Sequence, residues 1–132
     1  MSQVWTETPT GGANNFITGV GGFLQTALFG YPGLRLQGYQ ESSSDEMKGL
    51  RVQPVLVEGA VSMTARGVKF RGFTVDISYD SKSTSFFLRG PGTSGANLSL
   101  TDLSTNPPTT EQVPVGTPVT KPSGHTCILR AQ

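Results

Sequence analysis

The chain is poor in the residue types that build metal sites and charged surfaces. It has one cysteine and one histidine in 132 residues, and charged residues make up 14% of it. Cys127 therefore has no second cysteine for an internal disulfide, and a cysteine-built zinc site is excluded. His125 lies in a stretch flanked by proline and glycine, where we expect a surface or edge-strand residue and not the base of a Ser–His–acid triad. We expect no metal and no cofactor.

The chain also has no large excess of positive or negative charge and no long hydrophobic run. Ten Lys and Arg against nine Asp and Glu leave a net charge of +1, so nothing indicates binding to nucleic acid or to an anionic membrane. The longest apolar stretch, residues 19–30, contains Gln25 and Thr26 and is shorter than the roughly twenty residues that a bilayer requires. Residues 1–7 lack the basic and apolar regions of a secretory signal. We therefore expect neither nucleic acid nor a membrane as a partner.

Residues 14–30 have the apolar spacing of a helix. Asn14 or Asn15 is a suitable N-cap, and Gly30 followed by Pro32 supplies a stop. Three interior glycines oppose the helix by roughly 1 kcal/mol each, so we expect packing or a close neighbour to hold it. Apolar residues also lie outside the single stripe of the helix surface, so we predict that the helix packs against partners on more than one side. The stripe consists of Phe16, Val20, Phe23, Leu24, Ala27 and Leu28.

After Pro32 the apolar period changes to two, which is typical of strands. The clearest case is the run at residues 73–79, with four apolar residues on one face and three polar residues on the other. A strand is also predicted around Pro54, which restricts it to an edge or a bulge. Prolines 114, 118 and 122 recur every four residues, which does not fit the three-residue turn of polyproline II and favours an extended edge segment. The predicted fold is mainly β: an antiparallel β-sandwich preceded by one α-helix.

The motif Val4-Trp5-Thr6-Glu7 combines the only tryptophan with a carboxylate two residues later. An indole face stacks on the C–H bonds of a sugar ring, and a carboxylate binds hydroxyls or transfers protons. The chemistry fits a sugar site, although such a pair also occurs by chance. The glycines at residues 19–22 do not form a dinucleotide-binding loop, because Leu24 stands where the third glycine is needed.

Longer motifs resemble a known family. Val4-Trp5-Thr6-Glu7, the run NFITGVGGFLQ at residues 15–25 and the run LFGYPGLR at residues 28–35 together resemble the C-terminal region of glycoside hydrolase family sixty-five, especially its acid-trehalase-like members. The run GVKFRG at residues 67–72 is similar to the β-domain of that family. The resemblance is dense over residues 4–36, diffuse to about residue 90, and absent from the Pro/Thr-rich tail.

The resemblance implies that the chain is a C-terminal fragment of a longer enzyme. In that family a catalytic (α/α)6 barrel precedes a β-sandwich. Residues 1–30 correspond to the C-terminal end of such a barrel, which is incomplete here, and residues 31–132 to the sandwich with its tail. The missing N-terminal barrel of the same enzyme is then a partner of this chain.

The implied activity is inverting hydrolysis of an α-glucoside, either a glucosyl disaccharide or glucosyl-galactosyl-hydroxylysine, without a cofactor. By resemblance, Glu7 is the general base and Trp5 a wall of the substrate pocket. The general acid lies in the family's barrel, outside this chain, so we expect the isolated chain to be inactive. Glu7 favours a hydrolase over a phosphorylase, because phosphate replaces the activated water in phosphorylases. The alternative is a non-catalytic carbohydrate-binding or structural β-sandwich module.

Overall fold

The computed structural model of the chain describes residues 6–8, 10–14, 17–37, 49–92 and 96–132. Strands are the main regular element, and two antiparallel β-sheets enclose one core. The helical part consists of α1 (Ile17–Gln25) and a π-helical segment (Thr26–Gly30). The strands are β1 (Thr6–Thr8), β2 (Gly11–Asn14), β3 (Arg35–Gln37), β4 (Gly49–Val52), β5 (Ser62–Phe70), β6 (Phe73–Asp80), β7 (Ser83–Leu88), β8 (Leu98–Asp102), β9 (Thr109–Gln112), β10 (Val119–Pro122) and β11 (Cys127–Ala131).

The chain passes back and forth between the two sheets. One sheet has four strands in the order β10-β7-β6-β5, and the other has five in the order β3-β4-β11-β8-β9. Strands β1 and β2 form a separate hairpin. All pairings between named strands are antiparallel. The predicted mainly-β fold with antiparallel sheets and a preceding helix is confirmed.

Alternation along β6 explains how the core is filled. Its apolar side chains are buried and its polar ones are half-buried, in the strict order expected of a strand with one face on a core. Across the core, strands of the five-stranded sheet contribute Val52, Leu100 and Leu129, each fully buried. Phe86 of β7 is also fully buried in the same cluster. One continuous apolar core therefore holds the two sheets together.

Strand β5 continues through a bulge. Its pairing with β6 shifts between Ala65 and Val68, and Gly67 adopts a positive φ of 68°. The backbone N–H of Gly67 and the Nε of Arg89 both donate to Oδ1 of Asp76, over 2.7 and 2.8 Å. The Arg89 hydrogen bond, together with the Gly67 bond and nearby positive charge, lowers the pKa of Asp76 despite its burial. Asp76 thus stabilises the bulge.

One strand differs from its prediction in position. Strand β4 ends at Val52, before Pro54, and lies in the interior of its sheet between β3 and β11. The prediction of an edge strand around Pro54 is wrong, because the strand stops before the residue that lacks an N–H donor. Strand β11 lies in the middle of the five-stranded sheet. The Pro-rich segment does supply edge strands, β9 in one sheet and β10 in the other, as predicted.

Among the described residues, no helix has both the length and the apolar content needed to cross a membrane.

Candidate functional site

The two residues predicted to act on a sugar lie in the N-terminal segment. Trp5 is outside the described residues. Glu7 is the middle residue of β1, which pairs with β2 in a hairpin where Thr8 faces Gly11. Their roles in catalysis and substrate binding stay predictions. The hairpin itself was not predicted, although Pro9 and the Gly11-Gly12 pair are turn signals that could have indicated it.

The glycine-containing helical part forms over residues 17–30 of the predicted 14–30. Its predicted start is wrong at Asn14, which belongs to β2, and the other candidate N-cap, Asn15, lies outside the described residues. Helix α1 continues directly into the π-helical segment, which ends with the N–H of Tyr31 donating to the carbonyl of Thr26 over 3.2 Å. A Cβ atom added at Gly21 or Gly22 would meet no atom within 4 Å outside the neighbouring helix backbone. The close neighbour that these glycines lead us to expect is therefore not supplied by the described part of this chain.

One side of this helical part exposes large apolar side chains. Phe23, Leu24, Leu28 and Phe29 have 54, 50, 56 and 49% of their surface accessible; we call these four residues the helix face. Large exposed apolar patches are typical of interaction sites.

The end of the helical part is fixed to the sandwich. The N–H of Leu34 donates to the carbonyl of Phe29 over 2.9 Å, and the N–H of Val55 donates to the carbonyl of Tyr31 over 2.7 Å. Gly33 has a φ of 65°, and a Cβ there would lie 2.0 Å from the carbonyl oxygen of Gln53, so only glycine fits. The helix face is consequently held in a defined position while its four side chains remain about half-exposed.

Positive charge borders the helix face. Leu28 and Phe29 line a groove of about 270 Å³ together with Arg66 and Lys69 of β5, and no acidic residue is among its described lining residues. Arg35 lies beside Phe29 on the other side, with Nη1 donating to the carbonyls of Leu34 and Phe29 over 2.8 and 3.3 Å. The surface that best complements the helix face is therefore apolar at its centre and acidic at its edge.

A buried carboxylate pairs with the only histidine at the far end of the five-stranded sheet. Asp102, at the end of β8, is 1% exposed, and its Oδ2 accepts a hydrogen bond from Nδ1 of His125 over 2.7 Å. The backbone N–H of Ser104 donates to Oδ1 over 2.9 Å. Burial raises the pKa of Asp102, but these hydrogen bonds and the nearby charges of His125 and Lys121 outweigh it and leave the pKa below its ordinary value.

This pair ties two loops together. His125 precedes β11, and Ser104 follows β8; Oγ of Ser104 accepts a hydrogen bond from the N–H of Thr126 over 2.9 Å. No hydroxyl or thiol of the described residues is recorded on Nε2 of His125. Burial raises the pKa of the Cys127 thiol to about 12, which removes it as a nucleophile. The prediction of a surface or edge-strand histidine is wrong, because His125 is half-buried and precedes β11, a central strand. Its partner Asp102 was missed, and the absence of His125 from a triad stays a prediction.

Because the pKa of Asp102 is lowered in the folded chain, its stabilising contribution depends on pH. The contribution is present above the unfolded pKa of about 3.9 and is lost as pH falls through the lower folded value. We expect Asp102→Asn to reduce the free energy of unfolding by about 1–3 kcal/mol at pH 7, and the difference from wild type to shrink below about pH 4. Urea unfolding of both chains at neutral and acidic pH measures this. A difference that is constant across pH would contradict the proposed role of the carboxylate charge.

Within the described ranges, no group of three or more His, Cys, Asp or Glu residues is arranged to hold a metal ion.

Sequence comparisons connect the chain to named enzymes. No family model matches it, and no solved structure matches it significantly. The chain is 41% identical over 103 residues, or 77% of its length, to protein-glucosylgalactosylhydroxylysine glucosidase of Dictyostelium discoideum. The proteins of the same name from Danio rerio and Mus musculus are 36% identical over 66% of the chain and 33% identical over 61%. The chain spans only 13, 12 and 11% of the length of these three relatives. It is thus similar, over most of its own length, to a small portion of each of these glucosidases.

Proposed function

We propose that this chain is the C-terminal part of an inverting α-glucoside hydrolase of glycoside hydrolase family sixty-five. Its substrate class is a glucosyl disaccharide or glucosyl-galactosyl-hydroxylysine. The observation that carries the proposal is the 41% identity to a named glucosidase over 77% of this chain, which covers 13% of that relative. The mainly-β fold with one preceding helix is what the family resemblance leads us to expect at this end of the enzyme.

The half-exposed helix face supports a division into two parts. In this proposal, residues 1–30 complete an (α/α)6 barrel and residues 31–132 form the sandwich. The helix face then packs against the N-terminal barrel of the same enzyme, which explains why side chains such as Leu28 and Phe29 are half-exposed. Burying them yields about 25 cal/mol per Å² of apolar surface removed from water. The basic residues beside the groove pair with acidic groups on the barrel.

Glu7 is assigned the general base by its position in the Trp-Thr-Glu motif. Its carboxylate takes a proton from water as the water oxygen attacks the anomeric carbon. A carboxylic acid on the opposite face, supplied by the barrel, protonates the glycosidic oxygen and releases the aglycone. Inversion requires the two carboxyl groups to lie roughly 6.5–9.5 Å apart, so that water fits between Glu7 and the sugar. Trp5 stacks on the sugar ring.

The proposal is tested by comparing the isolated chain with a chimera. The isolated chain lacks the general acid and is expected to release no glucose from trehalose, kojibiose or glucosyl-galactosyl-hydroxylysine. In the chimera, this chain replaces the aligned stretch of the Dictyostelium discoideum glucosidase, and we expect glucose release from glucosyl-galactosyl-hydroxylysine. Glucose release is measured with a coupled enzymatic assay, and ¹H NMR of the first product reports its anomeric configuration.

Two results would contradict the proposal. Turnover by the isolated chain would show that no barrel is needed. A chimera that folds, as judged by thermal unfolding, but releases no glucose would favour the alternative of a non-catalytic sandwich module. A first-formed product of retained configuration would refute the inverting mechanism alone.

A further inference from the structure

One end of the sandwich is open where the chain crosses from one sheet to the other. After β9 the N–H of Val113 donates to the carbonyl of Leu98 over 2.8 Å, and Val115 then forms a parallel bridge with Leu88. Beside this crossing lies a cleft of about 410 Å³, within the size range of small-molecule pockets. We call it the end cleft and define it by Phe73, Pro91, Asn97, Gln112, Pro114 and Val115.

The floor of the end cleft is tightly packed. Phe73 is 1% exposed, and a Cβ at Gly92 would lie 2.5 Å from its ring, so the backbone is pressed against the ring. Asn97 exchanges two backbone hydrogen bonds with Gln132, over 3.0 and 2.9 Å. The cleft is therefore formed before any ligand arrives, which lowers the entropic cost of binding.

The described lining of the cleft has no charged side chain and two carboxamides, Asn97 and Gln112. A charged ligand would lose hydration without gaining a counter-charge. A purely apolar ligand would cover the carboxamides and leave them without hydrogen bonds. Each carboxamide has both donors and an acceptor, which matches adjacent hydroxyl groups that also donate and accept. The proline rings and Val115 offer apolar surface to C–H groups.

We propose that the end cleft binds a neutral saccharide of one or two hexose units. The carboxamides of Asn97 and Gln112 hydrogen-bond neighbouring hydroxyls, and Pro91, Pro114 and Val115 contact the C–H faces of the ring. This site lies in the sandwich and uses neither Glu7 nor Trp5. Its existence does not depend on the proposed hydrolysis, and it gives the sandwich a binding role of its own.

The test is an NMR titration of the ¹⁵N-labelled 132-residue chain with methyl α-D-glucopyranoside and with maltose. We expect saturable shifts of the Asn97 and Gln112 side-chain amide signals, confined to the end cleft. Gln112→Ala is expected to weaken binding about tenfold, as for the loss of one or two hydrogen bonds. Val115 is 50% exposed, and Val115→Trp, which fills the cleft and keeps both carboxamides, is expected to abolish binding.

Gln53→Ala is the matched control, because Gln53 is exposed and does not line the cleft. Unchanged affinity in this control together with weaker binding in Gln112→Ala supports the proposal. Absent shifts, equal affinity in Gln112→Ala and wild type, or saturation by a proline-rich peptide without saccharide binding would each overturn it. Since no outcome involves glucose release, failure here leaves the chimera result unaffected, and an inactive chimera leaves this result unaffected.

Discussion

A Glu7→Gln substitution in the chimeric glucosidase is expected to lower kcat by about 100- to 10,000-fold, the usual contribution of a general base. Glutamine keeps the size of the side chain and its hydrogen-bonding capacity but cannot take a proton from water. Sugar contacts are retained, so KM should change little. Steady-state kinetics on glucosyl-galactosyl-hydroxylysine measure both quantities.

Glu58→Gln is the matched control for this substitution, because Glu58 is an exposed residue of the loop between β4 and β5. It makes the same chemical change away from the N-terminal segment and should leave kcat unaffected. Azide is a nucleophile that needs no base. In the Glu7→Gln chimera it should attack the anomeric carbon as the protonated aglycone departs, and yield a glucosyl azide of inverted configuration. Wild-type turnover in Glu7→Gln would remove this residue from the mechanism.

The sequence predicted those elements whose pattern is local and long. The four alternating apolar residues of β6 and the helical spacing of α1 each repeat often enough to identify the element. Strands β1 and β2, with three and four residues, are too short to show a period. The pairing of strands was less predictable. Strand β11 lies between β4 and β8 because of contacts between residues that are distant in sequence, and a local pattern does not contain that information.

The same distinction holds for the candidate sites. The assignment of Glu7 and Trp5 came from a motif within four residues, which a sequence shows directly. The Asp102–His125 pair joins residues 23 positions apart, and the end cleft joins Phe73 to Gln112. Both depend on how the strands are arranged in the two sheets. Sites whose residues are distant in sequence and meet only in the folded chain were therefore missed.

The largest stability effect should fall on the shared core and not on the helix face. Phe86 is fully buried between the sheets, and Phe86→Ala is expected to lower the free energy of unfolding of the isolated chain by about 3–5 kcal/mol. Phe29 is 49% exposed, and Phe29→Ala should cost less than about 0.5 kcal/mol in the isolated chain. Urea unfolding followed by circular dichroism measures both.

In the chimera we expect a larger loss of stability from Phe29→Ala and an unchanged loss from Phe86→Ala. If the barrel covers the helix face, Phe29→Ala removes buried surface there and should cost about 1–2 kcal/mol, while Phe86→Ala costs the same in both proteins. Comparing each substitution in the two contexts separates contact with the barrel from packing within the sandwich. If Phe29→Ala is equally mild in the chimera, the helix face does not contact the barrel. If Phe29→Ala destabilises the isolated chain as much as Phe86→Ala does, residues of this chain already cover the helix face.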